Sequence, residues 1–127
     1  MARHLFQCPL RWSDMDADGH VHNAAHLRYL EESRIDLFWK KGFGGANVVA
    51  QMDIDYLTPL RYRPDPVRIE TWVSRVGTSS FVLEQEIRDD DVVYSTAVCT
   101  MVAFDQETQR SRALPEDQRV LLKDLGA

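Results

Sequence analysis

What the chain lacks narrows its function before any motif is considered. It has only two cysteines, Cys8 and Cys99, without metal-type spacing. Both fall in strand-like segments and are expected as reduced, buried thiols of a cytoplasmic protein. No apolar run approaches a membrane span, and the opening MARHLFQCPL is too poor in apolar residues for a signal peptide. Basic residues are the minority, 15 Lys and Arg against 20 Asp and Glu. The resulting net charge of -5 argues against sequence-independent nucleic-acid binding, which needs clustered cations. There is no Gly-x-Ser-x-Gly elbow and no GK[ST] phosphate loop, so a serine nucleophile or nucleotide cradle has no support. Repeats, low-complexity stretches and linkers are absent too. With 127 residues, 44% hydrophobic and 28% charged, residues 1–127 read as one globular domain.

The chemistry concentrates between Arg11 and Phe38, RWSDMDADGHVHNAAHLRYLEESRIDLF. A strand-like opening, His4 to Trp12, enters a loop with Asp14, Asp16, Asp18, Gly19 and His20. An amphipathic pattern then predicts a helix from Asn23 to Lys41, ended by Gly42, with Leu27, Leu30, Arg34, Leu37 and Phe38 on one face. Lys40 and Lys41 complement the dipole of its last turn. Four alternating segments predict strands: Asn47 to Thr58, Val67 to Val76, Phe81 to Ile87, and Val92 to Phe104. The last is apolar or small on both faces, so its outer face is expected to be covered. Asp89-Asp90-Asp91 reads as a solvated hairpin tip, and Pro115 to Leu125 as a short tail helix. One long helix and five mostly antiparallel strands make an α+β domain.

Two metal patterns fail on inspection. Asp14, Asp16, Asp18 and Gly19 match the first half of a calcium loop, but Ala25 stands where the closing bidentate glutamate belongs. His20, His22 and His26 have zinc-like spacing without a further ligand cluster. No metal is expected. A carboxylate loop feeding a helix N-terminus remains, which joins a base or nucleophile to a dipole that holds negative charge. By spacing alone the aspartates equally serve as turn and helix caps.

The pattern Asp14, Asp16, Gly19, His20, Val21, Asn23, followed by Tyr29-Leu30-Glu31-Glu32-x-Arg34, resembles the signature of hotdog-fold acyl-CoA thioesterases of the 4-hydroxybenzoyl-CoA thioesterase type. The likeness continues through Asp55-Tyr56-Leu57-x-Pro59-Leu60, Val76-Gly77-x-Ser79-Ser80-Phe81, Asp105 and Leu114-Pro115. His22 departs from the asparagine of many relatives, and Arg110 from their glycine or proline. The resemblance implies a hotdog, a five-stranded antiparallel sheet wrapped around one long central helix. It implies a thioester hydrolase in which Asp16 attacks the thioester carbon or activates water. The Asn23 N–H would stabilise the oxyanion, and His20 would buttress the loop or hydrogen-bond Asp16. Asp14 and Asp18 are assigned to turn geometry. Coenzyme A, as part of the substrate and not a cofactor, would lie along the hairpin through Thr78, Ser79 and Ser80. Arg75 would meet a phosphate, while Arg61 and Arg63 are weaker candidates better read as solvated.

Exposed sheet edges and the two-faced last strand predict a homodimer joined edge to edge, and a tetramer of two such dimers. Neither nucleic acid nor membrane is an expected partner. Two competing functions are a non-catalytic module that binds acyl-CoA or acyl-carrier protein, and a hotdog hydratase or dehydratase working through a His–acid pair.

Overall fold

The computed structural model describes residues 3–126. Strand β1 (His4–Cys8) leads through a 3-10 turn (Trp12–Asp14) to helix α1 (Asn23–Lys41). Strands β2 (Ala46–Tyr56), β3 (Val67–Val76), β4 (Ser80–Arg88) and β5 (Val93–Asp105) follow, then β6 (Arg110–Ser111) and helix α2 (Glu116–Lys123). The sheet is antiparallel, in the order β1-β3-β4-β5-β2, with β6 paired to the end of β5.

Among the described residues six strands form where the pattern suggests five. The extra one is two residues long and follows a turn in which Asp105 Oδ1 accepts from the Glu107 and Thr108 amides. The expected tail helix forms as α2, which packs its buried Leu122 into the second core cluster beside the long helix. Strand β1 stops at Cys8 rather than Trp12. Pro9 has no N–H to continue the ladder.

Helix α1 has the predicted bounds. Gly42, at φ 67°, takes the left-handed conformation that ends it, and its N–H reaches the carbonyls of Phe38 and Trp39. Its buried face is Ala25, His26, Tyr29, Leu30, Ser33, Arg34 and Leu37. Leu27, expected on that face, is 39% exposed, because the stripe is centred on residues 26, 30, 33 and 37. The polar members are satisfied by the sheet. Arg34 donates to Gln85 Oε1 at 3.0 Å, and Gln85 Nε2 donates to Thr71 Oγ1 at 3.1 Å and to the Leu30 carbonyl at 3.2 Å. Apolar residues pack around this spine in two clusters, one under the first half of α1 and one under the second.

Two other expectations change. The Asp89 carboxylate is not merely solvated: Arg63 donates to both of its oxygens at 2.7 Å, and Tyr94 adds its hydroxyl at 2.5 Å. The Arg63 hydrogen bonds hold its pKa down to about 2. Arg63 is therefore an ion-pair partner, not a free surface cation. Along β5, Ser95, Ala97, Cys99, Met101 and Ala103 are buried on one face, whereas Val98 on the other is 43% exposed. The other outer-face residues, such as Thr96, Thr100 and Val102, are half-buried, so that face is only partly shielded among the described residues. Cys8 and Cys99 are both buried and free; burial pushes the Cys8 thiol up to about 12 and raises Cys99.

Candidate active site

The aspartate loop is tied down at both ends. Met15 and Val21 form a bridge, as do His20 and Arg61. The Val21 amide donates to Leu60 and the Tyr62 amide to Gly19. Gly19, at φ 81°, supplies the positive φ that closes the loop without steric cost. The result is a rigid hairpin-like turn delivering the chain into α1.

Its three aspartates do three different things. Asp18 turns outward and contributes only its amide. Asp14, assigned to turn geometry, is instead a 7%-exposed anchor. Its Oδ2 accepts from the Tyr29 hydroxyl at 2.8 Å and Arg11 Nε at 3.1 Å, and Arg28 stands 3.4 Å from Oδ1. Three donors from the strand exit and the helix make it the clasp between loop and α1. This cationic and hydroxyl company also leaves Asp14 ill placed to ligate calcium.

Asp16 is held by one oxygen only. Oδ1 accepts from the Asp18 amide at 2.9 Å and the His20 amide at 3.0 Å. Oδ2 has no hydrogen bond among the described residues; the His20 ring stands beside it, with Nδ1 4.0 Å away. These backbone donors, His20 first, lower the pKa of Asp16 below the ordinary carboxylate value, with help from the nearby histidines. An ionised carboxylate with one oriented, unoccupied oxygen is thus built into the loop.

The start of α1 is equally specific. His22 is the N-cap, and its Nδ1 accepts from the Ala24 amide at 3.1 Å. Tyr56, from β2, donates its hydroxyl to the Asn23 carbonyl at 2.8 Å. Ala24 N–H and Asn23 C=O belong to one peptide unit, so that unit is pinned from both sides. The amides of Ala25 and His26 are used by the His22 carbonyl. Asn23 N–H has no acceptor among the described residues. Asp16, His20 and Asn23 line one pocket of about 270 Å³, with Val21, His26, Tyr56, Leu57, Thr58 and Pro59.

His26 and Tyr56 carry roles that the sequence does not reveal. By sequence His26 suggests only a surface or zinc histidine, yet it is 3% exposed, with Nδ1 2.9 Å from Ser95 Oγ and its ring edge-to-face with Tyr56. The available signal is its place on the stripe 26, 30, 33, 37. The hairpin residues lie elsewhere. Ser80 pairs with Val102 and the Gly77 amide closes the turn on the Ser80 carbonyl. Arg75, exposed, lines a separate groove with Ser74, Val76, Leu122 and Lys123. Arg75, Thr78, Ser79 and Ser80 do not reach the Asp16 pocket within one chain.

With this geometry in place, comparison with known proteins is decisive. The profile of the Thioesterase-like superfamily matches residues 10–122. The chain belongs to that superfamily. It is 29% identical over 128 residues to the long-chain acyl-CoA thioesterase FadM of Escherichia coli K12, covering 94% of this chain and 96% of FadM. Among solved structures, the PA2801 protein from Pseudomonas aeruginosa is 35% identical with a TM-score of 0.86, covering 93% of this chain and 96% of that one. A thioesterase from Thermus thermophilus, solved with coenzyme A and Zn, is 30% identical with a TM-score of 0.82, over 95% and 92% of the two chains. The superfamily match spans the aspartate loop, α1 and the hairpin together.

Proposed function

We propose that the protein is a cytoplasmic acyl-CoA thioesterase with a hotdog fold, hydrolysing an acyl-CoA thioester to a free acid and coenzyme A. One observation carries this reading: Asp16, with its free Oδ2, and Asn23, with its unpartnered N–H, line the same pocket. A side-chain nucleophile held by two backbone amides and a backbone oxyanion donor are thus in place before substrate arrives. The relatedness to FadM and to a thioesterase solved with coenzyme A supports the substrate class.

Asp16 Oδ2 attacks the thioester carbon, and the carbonyl electrons move onto oxygen, where Asn23 N–H stabilises them. Collapse expels the coenzyme A thiolate, which takes a proton from solvent, and leaves a mixed anhydride. Water then opens the anhydride, releasing the acid and restoring Asp16. In the alternative route Asp16 removes a proton from the attacking water. Its lowered pKa makes it a weak proton acceptor and favours direct attack. His20 acts through its amide, which orients Asp16.

Arg75, Thr78, Ser79 and Ser80 are proposed to hold the coenzyme A arm from a second subunit. Ser95, which contacts the pocket residue His26, and Val102, opposite Ser80, are far apart on β5, about 23 Å at strand rise. A partner joined through the exposed edge strand β2 would bring its hairpin to this pocket, giving the homodimer expected from the open sheet edges, and a tetramer if two dimers pack their outer faces together. A non-catalytic acyl-CoA or carrier-protein binder is the weaker reading, since binding alone has no use for an unoccupied carboxylate oxygen beside an oxyanion donor.

The test is thiol release from a panel of acyl-CoA thioesters by the parent and by Asp16→Asn. The variant keeps the two Oδ1 hydrogen bonds but loses the charge, so kcat should fall on the order of 10²-fold or more with KM little changed. Full activity in Asp16→Asn would defeat the assignment of this acid. A parent inert on every thioester would defeat the function.

A further inference from the structure

The pocket holds a second hydrogen-bond donor for which the mechanism above has no use. His26 sits one turn into α1, beneath the same pocket that Asp16, His20 and Asn23 line, and it is 3% exposed. Its ring is clamped between two strands. Nδ1 lies 2.9 Å from Ser95 Oγ on β5, and the ring meets Tyr56 of β2 edge-to-face at 5.1 Å between centroids.

The Ser95 contact decides which ring nitrogen carries the proton. Ser95 is fully buried, and among the described residues its hydroxyl oxygen has no partner except His26 Nδ1. A hydroxyl has one proton to donate, and an orphaned buried donor is costly. The network is satisfied when Ser95 donates and Nδ1 accepts. The ring proton then resides on Nε2, which has no protein partner among the described residues. His26 belongs to the pocket wall, so this N–H is available to a ligand there. Burial pushes the His26 pKa down to about 4, which keeps the ring neutral and the tautomer intact through the neutral range. A neutral imidazole N–H is an effective polariser of a carbonyl, because it donates without surrendering its proton.

We propose that His26 is a further catalytic residue, a side-chain oxyanion donor that joins the Asn23 N–H through Nε2–H, with Ser95 fixing its tautomer. The proposal rests on the thioesterase reading above. Two donors from different sources would bracket the developing charge: one from the backbone at the helix start, one from the next turn of the same helix. Tyr56 links them physically, since it packs on the His26 ring and hydrogen-bonds the Asn23 carbonyl. Movement of either donor is resisted by the same side chain.

Two measurements on the full chain test this. A two-bond proton–nitrogen correlation spectrum of ¹⁵N-labelled protein at neutral pH should show His26 as the neutral Nε2–H tautomer; the Nδ1–H pattern overturns the proposal. His26→Phe preserves a flat ring but removes the donor, and its kcat on acyl-CoA should fall about 10²- to 10³-fold, with KM within about threefold. His26→Gln retains an N–H, and its kcat should stay within about tenfold of the parent. Unchanged kcat in His26→Phe, or a loss confined to KM, overturns the proposal. If circular dichroism shows that His26→Phe does not fold, the tautomer and the His26→Gln kcat decide, and a Gln variant as inactive as Asp16→Asn counts against the donor. A parent that releases no thiol defeats the underlying function. An active parent with an undiminished Phe variant defeats His26 alone.

Discussion

At the Asp16 end of the molecule the side chains are held, and at the Gly77–Ser80 end the backbone is held. Around the pocket, Asp14, His22, His26 and Tyr56 each have a defined partner, and what is left over among the described residues is one carboxylate oxygen, one amide and the second ring nitrogen of His26. At the hairpin the carbonyls of Gly77, Thr78 and Ser79 are taken by Arg119, Leu114 and Ala103, while the three hydroxyls of Thr78, Ser79 and Ser80 have no partner among the described residues. The first arrangement fits chemistry, where donors must stand ready for a transient charge. The second fits binding, where rotatable hydroxyls on a fixed backbone adapt to a long ligand. The contrast teaches that one chain keeps two differently built ends apart, which the proposed function treats as parts of one site.

The strongest way to break this comparison is to divide the ends between two subunits. At low substrate Asp16→Asn should be nearly inactive, and the bulky hairpin variant Ser79→Trp should keep only about a tenth of parental activity. Refolded together, half the dimers would be mixed, each with one intact site of two, so roughly a quarter of parental activity should return. Size-exclusion light scattering must show dimers for the experiment to count, and mixtures that stay inactive would place both ends of each site in a single chain.

The pH dependence of stability separates the ends next. The pocket end buries His26, with a folded pKa of about 4 against 6.5 unfolded, so the unfolded state binds the proton first as pH falls. Stability should therefore decline from pH 6.5 toward 4, by up to about 1.4 kcal/mol per unit from this group. His4, also lowered by burial, adds the same sign. Urea unfolding across this range should show a shallower decline for His26→Phe than for the parent, and parallel lines would remove His26 from the account.

Within the loop itself, Asp14→Asn should cost stability rather than catalysis. It weakens the clasp to Arg11, Arg28 and Tyr29, worth about 1–3 kcal/mol for a buried charged acceptor, while the remaining folded protein keeps its kcat. A stable Asp14→Asn with depressed kcat would exchange the roles of the two acids. The smallest effect belongs to the hairpin. At saturating substrate Ser79→Trp should recover most of its kcat, with KM raised about tenfold, because contacts to the coenzyme persist from ground to transition state.

How far these features can be read from residues alone varies by type. The bounds of α1 follow from Gly42 and the periodic run before it, and the inward face of β4 follows from strict alternation, as in Phe81, Leu83, Gln85 and Ile87. Asp16, His20 and Asn23 were legible through family likeness, and the fold brings them to one pocket. Polar residues that pair across long sequence distances were not. Arg34 and Gln85 are 51 positions apart, Arg63 and Asp89 26, His26 and Ser95 69, and each alone looks like a surface residue or a break in pattern. Only the sheet's register makes them neighbours. Leu27 errs the other way, since its hydrophobicity suits a buried face that the helix turns away from the core.

The two cysteines bear on the bench as well as on the core. Both side chains are fully shielded, and burial raises both thiols, Cys8 to about 12. A thiolate is the species that reacts with disulfide dyes, so the folded enzyme should be silent to them. A colorimetric reading of liberated coenzyme A then needs no correction for the catalyst's own sulfur, and a slow rise of colour without substrate becomes a direct alarm that the protein is coming apart.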